Sequence, residues 1–219
     1  AFHGRTLGAL SLTPKEKYQQ PFKPLVPGVT VATFNDIASA REAITDKTAA
    51  VFIEPVQGEG GFNAATPEFL GALRELCNQH GALLIFDEHA TGLGRTGRMW
   101  GGDHEGVIPD VIYFAKYLGN GYPVTAVAIR EEYRDILASE RQGERQGSTY
   151  GGQPLACAAA LASVQILLRD NLTEHARITG EKCLIYMKEV AERHAIVGIA
   201  QGRGLQLGSG IGRVVGHRD

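Results

Sequence analysis

Two side chains in this sequence have the types and positions that covalent amine chemistry requires. Lys116 ends the apolar run of residues 111–115, and Asp87 directly follows the apolar run of residues 82–86. Short apolar runs bounded by glycine or proline are typical of buried strands. An ammonium group buried at a strand end loses solvation, which disfavours its charge and makes the neutral amine available as a nucleophile. The position of Lys116 therefore predicts a lysine that forms Schiff bases.

Each of these residues also has an ordinary structural interpretation. The aliphatic stem of Lys116 can lie along the strand end while its ammonium group reaches solvent. Asp87 can accept hydrogen bonds from the loop that follows it. Neither residue decides between the two interpretations when it is considered by itself.

The placement of both residues at strand ends favours a common site. The carboxyl ends of parallel strands open on one edge of a sheet, where ligands bind, and neighbouring strands lie about 4.8 Å apart. A carboxylate beside a protonated pyridine nitrogen and an amine beside the ring aldehyde are the minimum that pyridoxal phosphate (PLP) needs. The sequence thus predicts that Asp87 and Lys116 bind this cofactor.

The composition describes a globular chain with no bulk attraction for nucleic acid or an anionic membrane. Of its 219 residues 43% are hydrophobic and 21% are charged, and the net charge is -2. It has no apolar run of the roughly 18 residues that span a bilayer and no signal segment, which predicts a cytoplasmic location. Cys77, Cys157 and Cys183 lie in helix-like apolar stretches and are predicted to be core residues. We assign no residue to a metal site.

The pattern of elements indicates an α/β fold with a mainly parallel sheet flanked by helices. Strands are predicted over residues 49–53, 82–86, 111–115 and 124–129, and a helix over residues 36–45. Thr66 as N-cap, Pro67 at the first position and Gly81 at the end predict a further helix that ends at His80. The glycine-rich loops after the strands fit backbone-lined binding sites.

The second half of the chain predicts helices followed by a strand pair. Residues 130–139 are predicted to form an amphipathic helix, the duplicated ERQGERQG of residues 140–147 a solvated loop, and residues 153–168 a buried helix. A long helix over residues 171–194 precedes alternating residues 196–211, which predict the start of a C-terminal α+β subdomain. We expect a large domain over residues 1–170, lacking its N-terminal part, and a linking helix with a truncated small domain over residues 171–219.

Five segments carry a resemblance to a known family. They are FHGRTLGALSLT (2–13), FIEPVQGEGG (52–61), LLIFDEHATGLGRTG (83–97), PDVIYFAKYLGNGYP (109–123) and GSTYGGQPLACAAA (147–160). In this order they resemble the class III, ornithine-type aminotransferases of PLP fold type I. The resemblance implies that Lys116 is the Schiff-base lysine, that Asp87 faces the pyridine nitrogen and that Phe2 stacks on one face of the ring.

The resemblance also implies roles for residues around this pair. Ser148 and Thr149 would bind the cofactor phosphate of the neighbouring subunit, and His89 would cover a ring face. Glu59 would be the glutamate that occupies the substrate-binding arginine until a substrate carboxylate arrives, and Glu54 an acid behind the cofactor contacts. Considered singly, Phe2 can equally be a core aromatic, Thr149 a helix N-cap and Glu59 a loop carboxylate.

Three departures from the family pattern bear on substrate and completeness. His89-Ala90 replaces the usual pair after Asp-Glu, and Ala90 lacks the side-chain amide that a glutamine would offer the phenolic oxygen of the cofactor. Tyr117 replaces the usual glycine after the lysine and narrows the site. The phosphate-binding turn expected before Ala1 and the substrate arginine expected after Asp219 are missing, so we expect a fragment.

Three hypotheses for function remain open. The first is an aminotransferase that moves an amino group from an ω-amino donor, such as acetylornithine, ornithine or 4-aminobutyrate, to a 2-oxo acid such as 2-oxoglutarate or pyruvate, as a homodimer with shared active sites. The second keeps the fold and cofactor but changes the reaction to decarboxylation, racemisation or aminomutase chemistry. The third is a non-enzymatic module that binds a partner or a nucleotide through GLGRTG, which lacks the lysine-serine ending of a P-loop.

Overall fold

The structure of the chain is a computed structural model that describes residues 1–135 and 148–211. These residues form eight strands in three sheets. The strands are β1 (Ala50–Ile53), β2 (Val56–Gln57), β3 (Asn63–Ala64), β4 (Leu83–Asp87), β5 (Val111–Phe114), β6 (Ala126–Ile129), β7 (Val197–Arg203) and β8 (Gln206–Ile211).

Six α-helices accompany these strands within the described residues. They are α1 (Leu7–Ser11), α2 (Glu16–Gln19), α3 (Ile37–Ala43), α4 (Pro67–His80), α5 (Pro154–Arg169) and α6 (Leu172–Arg193). Short 3-10 turns cover Gln20–Phe22, Gly101–His104, Lys116–Leu118 and Glu131–Tyr133. Of the helix predicted over residues 130–139, the structure describes the 3-10 turn Glu131–Tyr133 and two α-helical residues after it. Residues 136–147 lie outside the described chain.

A four-stranded sheet in the order β1-β4-β5-β6 forms the centre of the molecule. β1, β4 and β5 run parallel, whereas β6 runs antiparallel to β5. The register pairs Ile53 with Phe86 and Asp87 with Tyr113. The predicted α/β fold with a mainly parallel sheet is confirmed, and three parallel strands end on one edge.

Helix α4 covers one face of this sheet. The Thr66 hydroxyl accepts a hydrogen bond from the Phe69 N–H at 3.2 Å, and Gly81 ends the helix at φ 67°. Both ends agree with the sequence prediction, because a hydroxyl N-cap and a left-handed glycine satisfy the free backbone groups. The buried side chains that join α4 to the sheet include Phe69, Leu70, Leu73, Cys77, Leu84 and Phe86. Each leucine and phenylalanine among them contributes about 1.5–3 kcal/mol when it is fully buried.

Helix α5 contradicts the prediction of a buried helix over residues 153–168. It has no buried residue, and Leu155, Leu161 and Leu168 are exposed. Its alanine-rich sequence gives an apolar surface on most sides, and the described residues cover little of that surface. Cys157 on α5 and Cys183 on α6 are likewise exposed, so the prediction of core cysteines holds only for Cys77.

The strand pair β7–β8 confirms the prediction for residues 196–211. The two strands are antiparallel, with an irregularity between Val197 and Ala200. Helix α6 packs against β7 and meets the tip of the pair, where a Cβ on Gly180 would lie 2.0 Å from the Gly204 carbonyl oxygen. The expected boundary at residue 170 falls between α5 and α6, and the division into two domains stays a prediction.

No single helix in the described chain is long and apolar enough to cross a membrane. Only the pair α5 and α6 passes that test jointly, across a bend of 66°.

Candidate active site

The carboxyl edge of the parallel strands brings two of the predicted residues side by side and places a third, Lys116, in the turn after the neighbouring strand. Glu54 follows Ile53 at the end of β1, and Asp87 is the last residue of β4. Because Ile53 pairs with Phe86, Glu54 lies beside Asp87. Asp87 in turn pairs with Tyr113, three residues before Lys116. The predicted common edge for Glu54 and Asp87 is confirmed.

The Asp87 carboxylate is buried, and both of its oxygens have hydrogen-bond partners. Its Oδ2 lies 2.9 Å from His3 Nδ1, and its Oδ1 accepts the His89 N–H at 3.0 Å. The second contact shows that Asp87 does cap the following loop, as its structural interpretation expected. Each carboxylate oxygen has about two acceptor positions, so both oxygens keep capacity for a further donor.

His3 is the residue of this site that the sequence analysis missed. Its side chain is 3% exposed and its Nδ1 also lies 3.1 Å from the Tyr113 hydroxyl. The segment that carries it is fixed by two backbone hydrogen bonds, from Phe2 N to Glu54 Oε1 and from His3 N to Thr13 Oγ1, both 2.8 Å long. No spacing rule connects His3 with Asp87, which lies 84 residues further along the chain.

Lys116 differs from its prediction in burial and in backbone position. β5 ends at Phe114, and Lys116 begins the 3-10 turn that follows Ala115. The side chain is exposed rather than buried. The backbone turns away from the sheet at Ala115 (φ -153°, ψ -120°), which carries the lysine off the strand end. Its own φ of 32° lies in the left-handed region, a strained conformation that occurs often at functional sites.

The charges of both predicted catalytic residues act on His89. Burial lowers the pKa of its imidazole, the Asp87 carboxylate raises it and the Lys116 ammonium lowers it, with a net shift downward. The ring is therefore neutral at neutral pH. Its Nδ1 is buried without a hydrogen-bond partner among the described residues, because Asp87 Oδ1 at 3.8 Å is too far. The ring meets Tyr113 edge to face at 5.7 Å.

These surroundings fit a ring that carries a cationic nitrogen and an aldehyde. Asp87 supplies a buried negative charge, His89 a buried ring nitrogen without a partner, and Lys116 an accessible primary amine. A buried carboxylate is costly without a compensating charge or donors. The residues present thus suit PLP, and their individual catalytic roles stay predictions.

The two glutamates of the predicted site have different surroundings. Glu54 is buried, and its Oε2 accepts the Gly58 N–H at 3.0 Å, so it ties the loop after β2 to the segment of Phe2. Glu59 is exposed and pairs with Lys15, whose Nζ lies 3.2 Å from its Oε2. Exposed pairs of this kind contribute about 0–1 kcal/mol, which leaves Glu59 free to exchange partners.

The segment of Ser148 and Thr149 is exposed and precedes α5. The N-cap of α5 is Gln153, whose Oε1 accepts the Ala156 N–H at 2.7 Å. The interpretation of Thr149 as a helix N-cap is therefore wrong. Its role in phosphate binding stays a prediction.

Other parts of this chain pack closely against the GLGRTG loop. A Cβ on Gly94 would lie 3.0 Å from Thr173 Oγ1, and a Cβ on Gly97 would lie 2.9 Å from Arg177 Cβ, both on α6. The Arg95 carbonyl of the loop also accepts a hydrogen bond from the Leu205 N–H at 2.9 Å. These glycines allow the close approach of a helix, which removes the argument for nucleotide binding by this loop.

Tyr117, the unusual residue after the lysine, also contacts this loop. The Arg95 guanidinium lies 4.1 Å from the centre of its ring. A cation–π contact of this kind contributes about 0.5–1 kcal/mol or more. Tyr117 thus connects the turn of Lys116 to the glycine-rich loop.

Phe2 is partly exposed, and its ring meets the Tyr18 ring edge to face, with 6.2 Å between the ring centres. It is therefore not a fully buried core aromatic.

The fold and the site define a class of protein, and the comparison with family models agrees with it. Residues 1–213 match the model described as aminotransferase class-III. The chain therefore belongs to the class III aminotransferases, a family that depends on PLP.

The similar proteins include enzymes named for ornithine and for its acetyl and succinyl derivatives. The chain is 46% identical to acetylornithine aminotransferase of Methanocaldococcus jannaschii over 95% of its own length and 52% of the relative's. It is 44% identical to succinylornithine transaminase of Yersinia pseudotuberculosis over 95% and 49%. An ornithine aminotransferase of Toxoplasma gondii, described with partial occupancy of PLP at its active site, superposes with a TM-score of 0.84 at 37% identity, covering 92% of this chain and 47% of that one. The chain thus spans about half the length of these relatives.

Proposed function

We propose that the protein containing this chain is a PLP-dependent aminotransferase. It moves an amino group from an ω-amino donor, such as acetylornithine, ornithine or 4-aminobutyrate, to a 2-oxo acid such as 2-oxoglutarate or pyruvate. The observation that carries the proposal is the buried Asp87 carboxylate at the carboxyl edge of a parallel sheet, with the Lys116 amine after the neighbouring strand. The relatives named for acetylornithine and succinylornithine support a donor of the ornithine type.

The chain supplies two of the groups that a transamination needs, the Asp87 carboxylate and the Lys116 amine. Bound PLP provides an electron-withdrawing ring that stabilises negative charge at the carbon losing its proton. Asp87 keeps a positive charge on the ring nitrogen, because a neighbouring carboxylate favours the protonated form. Lys116 Nζ holds the cofactor covalently and, once a substrate amine has displaced it, takes the proton from the substrate carbon that bears that amine. The exposed position of Lys116 leaves its amine accessible to both the cofactor and the substrate.

Cofactor binding and product analysis test this proposal in the full-length protein. We expect a visible absorbance band with PLP that borohydride bleaches and that Lys116→Ala abolishes. Lys188→Ala, which removes an exposed lysine from the middle of α6, is the matched control and keeps the band. A wild-type protein without that band would contradict the proposal.

Isotope-labelled donors separate transamination from the other reactions of this fold. We expect the labelled nitrogen of acetylornithine, ornithine or 4-aminobutyrate to appear in the amino acid formed from 2-oxoglutarate or pyruvate. Release of carbon dioxide, or a racemised or rearranged amine without nitrogen transfer, would instead identify a decarboxylase, racemase or aminomutase.

The proposal includes a homodimer in which each active site uses residues of both subunits. The exposed Thr149 supports it, because its hydroxyl is not consumed by the α5 cap and remains available to an anion. Mixing Lys116→Ala subunits with Thr149→Ala subunits then restores part of the activity through one intact composite site. Proven heterodimers without any recovery would argue against shared sites. The cytoplasmic location also stays a prediction, which cell fractionation tests.

A further inference from the structure

Tyr117 follows Lys116 in the 3-10 turn after β5, and its ring contacts the guanidinium group of Arg95 in the glycine-rich loop. The Arg95 Cζ atom lies 4.1 Å from the centre of the ring. A cation within about 6 Å of a ring centre is attracted to the ring face. Both residues are half-buried, so the contact is partly shielded from water. It links the turn that carries the lysine to a loop on the other side of the site.

Arg95 is held by contacts that do not involve the turn of Lys116. Its carbonyl accepts the Leu205 N–H at 2.9 Å, and its own N–H donates to the Gly92 carbonyl at 3.4 Å. A Cβ on Gly204 would lie 2.3 Å from the carbonyl carbon of Thr96. The tip of the β7–β8 pair therefore packs directly on the loop and gives the guanidinium group a fixed base.

The turn of Lys116 has a backbone that needs support from its surroundings. A side chain rarely adopts the left-handed φ of 32° found at Lys116, and such a conformation persists only where the surrounding structure enforces it. The Leu118 N–H donates to the Ala115 carbonyl at 2.7 Å, and Leu118 is buried, which fixes the end of the turn. Tyr117 shares a rigid peptide plane with Lys116. The place where its ring is held therefore determines the direction of the lysine side chain.

We propose that Tyr117 is a positioning residue that aims the Lys116 amine at the cofactor aldehyde through the contact of its ring with Arg95. It acts through the backbone that it shares with Lys116, and not by contact with the reacting atoms. The inference rests on the proposed function and extends it to the residues that hold the lysine turn. Attachment joins Nζ to the aldehyde carbon and releases the aldehyde oxygen as water, so its rate depends on where the turn places Nζ.

The rate of cofactor attachment in the full-length protein tests this role. We expect Tyr117→Leu to slow the appearance of the visible PLP band about 3- to 10-fold, the size of one lost cation–π contact. Tyr117→Phe keeps the ring and is expected to keep the wild-type rate. An equally slow Tyr117→Phe would assign the effect to the hydroxyl group and overturn the proposal. The matched control is Tyr186→Leu, which removes an exposed tyrosine from α6 and leaves the rate unchanged.

A form of the cofactor without an aldehyde separates positioning from a merely structural role. Pyridoxamine phosphate carries an amine in place of the aldehyde, so it cannot attach to Lys116, and its affinity reports on the rest of the site. We expect Tyr117→Leu to bind pyridoxamine phosphate with the wild-type Kd while its attachment of PLP is slowed. A parallel loss of both would identify a residue that only supports the fold and would overturn the positioning role.

The variant Arg95→Met tests the same contact from its other side and keeps the backbone hydrogen bond to Leu205. We expect it to slow attachment as much as Tyr117→Leu does. The double variant is expected to be no slower than either single variant, because both substitutions remove one shared contact. Arg98→Met, at the exposed arginine just after the loop, is the control and leaves the rate unchanged. Losses that multiply in the double variant would show that the two residues act separately and would refute the proposal.

The positioning role and the proposed function fail in different ways. If the wild type forms no visible band with PLP, the proposed function fails and the positioning role fails with it. If the wild type forms the band, and both Tyr117→Leu and Arg95→Met form it at the wild-type rate, only the positioning role is refuted.

Discussion

Two buried aspartates lie at opposite ends of the neighbouring strands β4 and β5, and their partners differ in charge. Asp110, just before β5, accepts hydrogen bonds from Leu84 N and Arg74 Nη1 at 2.7 and 2.8 Å, and Arg130 Nη1 lies at 3.3 Å. Asp87, at the end of β4, has no arginine or lysine within ion-pair distance among the described residues. Its histidine neighbours there are His3, whose Nδ1 lies 2.9 Å from Oδ2, and the neutral His89.

The difference indicates which carboxylate serves structure and which serves binding. A buried negative charge with two guanidinium partners is already compensated, so Asp110 joins α4, β4 and the chain after β6. A buried carboxylate that is held only by hydrogen-bond donors keeps an uncompensated charge, which favours a cationic ligand. The carboxyl edge of a parallel sheet is also the edge where ligands bind.

The largest expected effect of this difference is on catalysis. Asp87→Asn keeps the shape and can still accept from His3 Nδ1, but it removes the negative charge. We expect kcat/KM for transamination to fall about 100- to 1000-fold, the size of one lost preorganised electrostatic contact in an active site. Asp110→Asn is the control and leaves kcat/KM of the folded protein unchanged. Equal losses in the two variants would show that the comparison is wrong.

A large effect on stability is expected at the other aspartate. Asp110→Ala leaves the Leu84 N–H and the Arg74 guanidinium without their buried acceptor. We expect the free energy of unfolding to fall by about 2–3 kcal/mol, measured by urea denaturation of the full-length protein. A change below about 0.5 kcal/mol, the range of ordinary surface substitutions, would mean that Asp110 is not a structural centre.

The same contrast predicts a pH dependence of stability. Burial by itself would raise the pKa of Asp110, but the hydrogen bonds from Leu84 and Arg74 and the Arg74 charge outweigh it and hold that pKa below its ordinary value. The stability that Asp110 contributes is therefore present above the unfolded carboxyl pKa of about 3.9 and is lost as the pH falls through the folded value. We expect wild-type protein to lose more unfolding free energy than Asp110→Asn in acid denaturation. Parallel losses in both proteins would contradict this assignment.

The sequence predicted the helices, the strands and the strand-end residues better than it predicted the tertiary contacts that bury them. The capped helix α4 and the strand ends at Asp87 and Glu54 follow from local signals, because caps, glycines and apolar runs act within a few residues. The contact of His3 with Asp87 joins residues 84 positions apart and has no local signal.

Exposure was the other property that the sequence did not determine. Helix α5 was predicted to be buried because its residues are apolar, but none of them is buried in the described chain. Apolar composition shows that a surface can be covered, and only the tertiary structure shows whether anything covers it. The same reason explains the exposed Lys116, whose strand was predicted correctly but whose final turn was not.

The smallest predicted effect concerns backbone strain at Lys116. Asp87, by contrast, ends a strand of regular geometry. The left-handed φ of 32° at Lys116 costs a side chain about 1–2 kcal/mol, whereas glycine adopts it freely but loses about 0.5–1 kcal/mol more entropy on folding. We therefore expect Lys116→Gly to raise the free energy of unfolding by up to about 1 kcal/mol while it abolishes cofactor attachment.

The matched control is Lys188→Gly, the same chemical change in the interior of helix α6. It is expected to lower the free energy of unfolding by about 1 kcal/mol, because glycine is a poor helix former. Opposite signs for the two variants, measured by urea denaturation, would show that the backbone of the lysine turn is strained. If Lys116→Gly destabilises the protein as much as Lys188→Gly does, the turn is relaxed.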